Sequence, residues 1–545
     1  MGSGNIITVD IWRRPYFAVA ALFISQMLPN ICHVQAKPLH SKAMISDWNQ
    51  LTPSPNLTWT PCFENFTCSR LQVPLNYTDP SAGGPGQSGV SDILESAPEY
   101  LQRFGSGYTW VGFDPRGVNN SGPTVDCFPQ NETSRSTFES LFFSQVTDAS
   151  STSLAEQYYS ASLYGQWCSE SFRHGNTSGL HISTPAVAQD MLMFAKAEQR
   201  FKGKPEDEAK VWYYGASYGT VLGVTFAALY PQNAGRIILD GVVDAQDYYA
   251  GRWRANLYDT DAVFASFPKL CYQAGQRNCS FWGPSEKNIT DRMDEIISNI
   301  KQHPLAVSGL QQDGSSMGLT TYSDLKQGML YGVYFPTQNF PVLADIFASV
   351  EAGDGSLISD IDTSLLWGPD VNVLIKCVDA YGNNNFTSLD EYKAYVEILT
   401  NQSKSFGTAW PNNAAPILCD SLDLNIPRGG SFPGLSTIPP SFVATSDQVV
   451  FRKGPLPPSS NHTTIPLLFL SNSLDPVSPI RGAHKMSSGF AGSAVLIQGD
   501  GLGHTVWANG GSTCLWDHVR DYLESGKVPP ANTTCQGAPV PFRDS

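Results

Sequence analysis

The stretch Gly215-Ala216-Ser217-Tyr218-Gly219 constrains this chain more than any other. Before it runs Val211-Trp212-Tyr213-Tyr214, the β-branched and aromatic text of a short strand. After it, Val221, Leu222, Val224, Thr225, Ala228 and Leu229 recur at helical spacing. A strand that enters a helix through Gly-x-Ser-x-Gly must turn sharply. The two glycines let strand and helix approach while the serine is lifted to the C-terminal edge of a sheet. The first N–H groups of the helix then point at the place where an oxyanion would form. A plain Gly-rich strand–helix turn is the bland alternative, and the strand and helix on either side argue against it.

A serine hydroxyl needs a base to act as a nucleophile. Where a serine stands on a strand–helix elbow of this Gly-x-Ser-x-Gly kind, the expected chain order is Ser, then Asp or Glu, then His. Asp475 follows the apolar run Ile465–Leu470 and the loop Ser471-Asn472-Ser473-Leu474. His504 follows Gly499-Asp500-Gly501-Leu502-Gly503, just past a second apolar run at Ala494–Ile497. Of the nine histidines, His504 alone has a Gly-rich run able to carry it over a sheet edge. Asp500 competes with Asp475 as the acid, but it lies too near His504 to follow a different strand. Ser217, Asp475 and His504 are therefore the candidate catalytic residues.

The rest of the chain sets these residues in an alternating strand–helix pattern. Strands are expected at Arg70–Leu75, Tyr108–Phe113, Val211–Tyr214, Arg236–Leu239, Ile465–Leu470 and Ala494–Ile497. Helices are expected over Val90–Phe104, from Thr184-Pro185 with Thr184 as cap, after Ser217, and over Cys514–Leu523. Such alternation implies a parallel sheet in an α/β fold. The rhythm stops between residues 250 and 460, which reads as a large lid insertion, with a hinge back to the sheet at Pro455–Ser460. The expected division is 1–36 signal, 37–249 first part of the core, 250–460 lid, and 461–545 closing part of the core.

Arg13 and Arg14, the apolar run Tyr16–Leu28 and the small-residue site Val34-Gln35-Ala36 read as a cleaved secretory signal. An uncleaved membrane anchor is the rival, for which the run is short. Asn-x-Ser/Thr sites at Asn56, Asn65, Asn76, Asn119, Asn131, Asn176, Asn278, Asn288, Asn385, Asn401, Asn461 and Asn532 fit a secreted glycoprotein. Ten cysteines remain beyond the signal: Cys62, Cys68, Cys127, Cys168, Cys271, Cys279, Cys377, Cys419, Cys514 and Cys535. Their spacing lacks a zinc pattern, so disulfides are expected and no metal or cofactor. We expect sequential pairing, although spacing alone does not fix connectivity. The net charge of −15 argues against a nucleic-acid partner.

Taken together, Tyr214–Thr220, Tyr230-Pro231, Arg236–Asp244, Gly83–Gly89, Phe113–Gly117, Leu474–Pro479 and Gly503-His504 resemble the secreted tripeptidyl and prolyl aminopeptidases, a family of α/β-hydrolases. The tail from Cys514 to Cys535 is similar to their C-terminal segment. The resemblance implies a serine peptidase acting near a peptide's free N-terminus. Backbone N–H groups of Tyr218 and Gly84 would hold the oxyanion, and Pro85 cannot donate. A small ester is the alternative substrate, since ester and amide hydrolysis share the oxyanion intermediate. The chain departs from the family in one large respect. Between Cys68 and Gly83 there is room for one short strand, where three would precede the Gly-Gly-Pro-Gly loop. A product of a shortened gene, inactive for that reason, is thus a further alternative. The expected consequence is a reduced sheet, in which Tyr108–Phe113 closes up on Val211–Tyr214.

Overall fold

The computed structural model describes residues 4–11, 44–73 except 65, 88–174 except 124, 182–359 except 312–313, 370–423 except 381–382 and 384–385, 442–445, 448–451, and 463–543 except 464. The strands are β1 Gly4–Ile11, β2 Thr60–Cys62, β3 Phe66–Val73, β4 Val111–Asp114, β5 Val211–Ala216, β6 Ala234–Asp240, β7 Leu305–Gln311, β8 Gly314–Thr320, β9 Phe442–Thr445, β10 Gln448–Phe451, β11 Leu468–Leu474, β12 Ala494–Leu502 and β13 Thr534–Cys535. The helices that matter below are α1 Gly89–Phe104, α2 Glu132–Phe142, α3 Ser153–His174, α4 Thr184–Phe201, α5 Tyr218–Leu229 and α6 Ala245–Tyr249. They continue with α7 Thr260–Ala274, α8 Glu286–Gln302, α9 Tyr322–Tyr334, α10 Pro336–Glu351, α11 Ser356–Ser359, α12 Asp370–Asp379, α13 Leu389–Gln402, α14 Trp410–Ala414, α15 Ile480–Ser487 and α16 Thr513–Ser525.

The central sheet is parallel, in the order β13-β12-β11-β6-β5. Its strands are buried on both faces, which is why Leu467–Leu470 is continuous apolar text without alternation. One face packs on α4, α5 and α6 through Val221, Val224, Ile237 and Phe469. The other packs on α1 and α16 through Phe104, Leu468, Leu496 and Trp516. This is the α/β-hydrolase architecture, with a short sheet. Strand β11 starts later than the apolar run suggests, because Pro466 has no N–H for a ladder.

The N-terminal strands depart from expectation. Strand β4 does not close up on β5. It belongs to a separate sheet, in the order β2-β3-β1-β4. The obstacle is aromatic packing on α1. The Phe104 ring lies 4.6 Å from Trp110 and 5.1 Å from Tyr214, and Tyr100 lies 5.0 Å from Trp110 and 6.3 Å from Tyr214. Drawing β4 to about 4.8 Å from β5 would drive these close-packed rings together. Within the segment read as a signal, Gly4–Ile11 pairs antiparallel with both β3 and β4. Its β-branched text, Ile6-Ile7-Thr8-Val9, suits that slot. Removal of a signal would take this strand away and leave β3 and β4 unpaired on those edges.

Over the sheet lies a helical layer with its own core, drawn from α7 to α14 and including Phe267, Leu325, Phe340 and Tyr392. Helices α2 and α3 join the same core through Phe138, Phe142 and Tyr164, although the sequence division counts them with the first part of the sheet region. Apolar stripes from both sides of Ser217 are buried here against one another. The ten cysteines pair sequentially: Cys62–Cys68, Cys127–Cys168, Cys271–Cys279, Cys377–Cys419 and Cys514–Cys535. Among the described residues no helix is long and apolar enough to cross a membrane. The described sequon residues Asn56, Asn119, Asn131, Asn278, Asn288, Asn401 and Asn532 are all exposed or half-buried. Asn65, Asn76, Asn176, Asn385, Asn461 and the hinge at Pro455–Ser460 lie outside the described residues.

Candidate active site

Ser217 stands between β5 and α5 with φ 54° and ψ −122°. Positive φ is costly for a residue with a Cβ, and such strain persists only where the surroundings impose it. Here the Ser217 N–H donates to the carbonyl of Asp240 at the end of β6 (2.9 Å), and Tyr213 donates its hydroxyl to the Gly219 carbonyl (3.0 Å). The N–H of Tyr218 begins α5 beside the serine. Gly84, the second expected oxyanion donor, lies outside the described residues.

Asp475 and His504 meet. His504 Nδ1 is 3.1 Å from each carboxylate oxygen of Asp475, and both side chains are almost wholly buried. Asp475 also accepts from the N–H groups of Val477, Ser478 and Thr505. Burial alone would raise its pKa. The charge and hydrogen bond of His504 and the backbone donors outweigh burial and hold the carboxyl below its ordinary value. The Ser478 hydroxyl donates to Asp475 Oδ2 (2.8 Å) and lies 2.9 Å from His504 Nδ1. The Asp500 carboxylate is engaged elsewhere, accepting from the N–H groups of Gly537 and Ala538.

The backbone after Asp240 brings serine and histidine to one edge. Gly241 has φ 64°, and a Cβ there would meet Ser478 Oγ at 3.2 Å and His504 Cε1 at 3.3 Å. Only glycine lets β6 end this close to the imidazole. Among the described residues the Ser217 hydroxyl makes no hydrogen bond to His504, whose Nδ1 is engaged by Asp475 and Ser478. From the helical layer, the Tyr334 ring packs edge-on to His504 at 5.4 Å, and the Tyr334 carbonyl accepts the His504 N–H (2.7 Å).

Three further residues hold the site, and the sequence reading missed all of them. The Asp240 carboxylate accepts from the N–H groups of Val506 and Trp507 (both 2.8 Å) and from the Tyr214 hydroxyl (2.9 Å). Burial raises its pKa to about 6 against those donors. Ser478 and Asp240 stand inside motifs already singled out, so their proximity to the triad candidates was a usable signal. Asp379, on α12, had none. It accepts from the Thr184 N–H (2.8 Å), the Thr184 hydroxyl and the Tyr248 hydroxyl (2.8 Å). Thr184 Oγ1 lies 2.6 Å from the Tyr218 hydroxyl. Thr184 is thus not the cap of α4; Ser183 is, because Asp379 takes the Thr184 side chain. Burial raises Asp379 to about 7.

Comparison with known proteins places the chain among hydrolases. Residues 448–535 match the family described as TAP-like protein. The tripeptidyl aminopeptidase of Streptomyces lividans is 23% identical, over 86% of this chain and 78% of its own. The serine protease Hip1 of Mycobacterium tuberculosis is 24% identical, over 88% of this chain and 90% of its own. Carboxylesterase B of Mycobacterium tuberculosis is 22% identical, over 96% of this chain and 99% of its own. With the parallel sheet and the serine at its turn, these similarities make the chain a serine hydrolase of the α/β-hydrolase fold. Within that class it is similar to the tripeptidyl aminopeptidase-like serine peptidases.

Proposed function

We propose that the chain is a secreted exopeptidase that releases residues or short peptides from peptide N-termini, with Ser217 as nucleophile, His504 as base and Asp475 as its orienting acid. The observation that carries this reading is the buried His504–Asp475 contact at 3.1 Å beside the strained Ser217. Ser217 Oγ attacks the scissile carbonyl while His504 Nε2 takes its proton. The tetrahedral oxyanion is held by the Tyr218 N–H and, as the resemblance implies, by that of Gly84. Collapse expels the amine, which receives the proton from His504, and leaves an acyl-enzyme. Water, activated by the same imidazole, then releases the acid and restores the serine. The helical layer over this edge acts as the lid. Secretion through the leader and glycosylation at exposed sequons belong to the same reading.

The test is hydrolysis of aminoacyl and tripeptidyl p-nitroanilides by the purified protein and by Ser217→Ala. A loss of several orders of magnitude is expected, as triad removal gives elsewhere; unchanged activity in the variant would sink the assignment. The similarity to a carboxylesterase over nearly the whole chain supports a second reading, an esterase or lactonase acting on a small metabolite. Rates on a p-nitrophenyl ester and an aminoacyl anilide, measured side by side, separate the two.

A further inference from the structure

Lys376 lies on α12, one turn before Asp379, and has no counter-ion among the described residues. Its Nζ donates to the Ala414 carbonyl (2.9 Å) and stands 5.5 Å from the Trp253 ring. It is half-buried among the residues of the helical layer. Asp379 does not neutralise it, because the Asp379 oxygens are taken by Thr184 and Tyr248. Among the described residues no carboxylate pairs with this ammonium.

Two chains of contacts run from Lys376 to the reacting groups. On one side Trp253 packs on Tyr248 (5.3 Å), and Tyr248 on Tyr218 (5.7 Å), the residue after the nucleophile. On the other, Ala414 adjoins Asn413, whose Oδ1 accepts from the Tyr334 hydroxyl (3.1 Å), and Tyr334 packs on His504. Lys376 therefore stands in the lid between the serine side and the histidine side of one edge.

A half-buried cation held by one neutral carbonyl lacks charge compensation, which an opposite charge on a ligand would supply. Burial lowers the Lys376 pKa to about 7 with no carboxylate to oppose it, so an arriving anion would find a group ready to be charged and desolvated. Its two shown neighbours, the Ala414 carbonyl and the Trp253 ring, carry no negative charge.

We infer that Lys376 is a specificity-determining residue that binds a carboxylate of the substrate near the scissile bond, so the preferred substrates are acidic peptides or esters. This inference rests on the serine-hydrolase reading of Ser217. The carboxylate is either an acidic side chain next to the bond cleaved or a free terminal carboxylate.

The test uses the purified full chain. Labelling by a fluorophosphonate, lost in Ser217→Ala, first establishes the nucleophile; absence of labelling overturns the parent reading and this inference with it. Rates are then compared on glutamyl against glutaminyl p-nitroanilide, and on p-nitrophenyl hemisuccinate against p-nitrophenyl butyrate. The wild type is expected to favour the anionic member of at least one pair by roughly 10- to 100-fold in kcat/KM, the range of a charge-assisted contact. The pair that shows the preference identifies the source of the carboxylate. Lys376→Met should bring that ratio to about one, and Lys376→Arg should keep most of it. If Lys376→Met does not fold, protection of wild-type Ser217 from the fluorophosphonate by glutarate against glutaramide serves instead. Preference for neutral substrates, an unchanged ratio in Lys376→Met, or equal protection by the two compounds overturns the inference.

Discussion

Asp240 holds Ser217 and the His504 loop at once: its carbonyl accepts the Ser217 N–H at 2.9 Å, and its carboxylate accepts the N–H groups of Val506 and Trp507 at 2.8 Å. One residue at the end of β6 thereby fixes the relative position of the strained turn and of the loop that carries the imidazole. Asp240→Asn keeps the backbone contact but offers one acceptor where three donors converge. We expect kcat/KM to fall by roughly 10- to 100-fold, as the loss of one or two hydrogen bonds to a charged group would give. Labelling of Ser217 should persist at a reduced rate.

The same residue sets a pH dependence. Its folded pKa, about 6, lies above the ordinary carboxylate value, so the folded chain binds a proton that the unfolded chain has lost. The stabilisation from that proton is full below about pH 4 and is lost as pH rises through about 6. At neutral pH the ionised group costs folding energy and in return holds the loop. Urea midpoints from pH 4 to 7 should rise less steeply with pH in the wild type than in Asp240→Asn. Equal profiles would show that Asp240 does not titrate in this window.

Asp475→Asn should leave the fold in place and lower kcat by about 10⁴, because the amide no longer fixes the tautomer in which His504 Nε2 can accept a proton. Steady-state rates on the best anilide, with circular dichroism to confirm folding, check this. A loss below tenfold would remove Asp475 from the proposed triad.

Arg116, in the Asp-Pro-Arg-Gly stretch, pairs with Asp190 of α4 through Nε at 2.5 Å and Nη2 at 2.9 Å, and both side chains are about 1% exposed. Removing one partner leaves a buried charge. Arg116→Met should destabilise by about 3–5 kcal/mol, whereas Arg116→Met with Asp190→Leu should recover much of that loss. Chemical denaturation of the three proteins measures it. Single and double variants of equal stability would contradict the argument.

The disulfides differ in the loops they close. Cys127–Cys168 spans 41 residues and ties the segment before α2 to α3, whereas Cys62–Cys68 spans 6. Replacing the first pair by serine should cost about 4 kcal/mol on the chain-entropy account, and replacing the second distinctly less. Thermal unfolding of the two double variants gives the order.

Parts of this architecture were legible in local text because local physics fixes them. The turn at Ser217 needs glycine on both sides, a strand before and a helix after, and all three are written within about twenty residues. The strands on either side of Asp475 and His504 are continuous apolar runs, which only burial on both faces explains. The order of the cysteines fits their pairing because each pair closes a loop within one layer.

What the sequence could not decide depends on distance in space. Nothing near Tyr108–Phe113 tells that Phe104, Trp110 and Tyr214 pack as one aromatic cluster and keep β4 apart from β5. The membership of α2 and α3 in the helical layer follows from apolar faces meeting across more than a hundred residues of chain. Asp379, Lys376 and Tyr334 carry no motif. Their place beside Tyr218 and His504 is set by how α9 and α12 dock over the sheet edge, and a side chain's surroundings there come from residues far away in the chain. Local text was enough for the strained turn at Ser217, the parallel strands and the order in which Ser217, Asp475 and His504 follow one another. Which carboxylates brace that edge follows from tertiary packing, because burial and hydrogen-bond partners belong to the assembled fold.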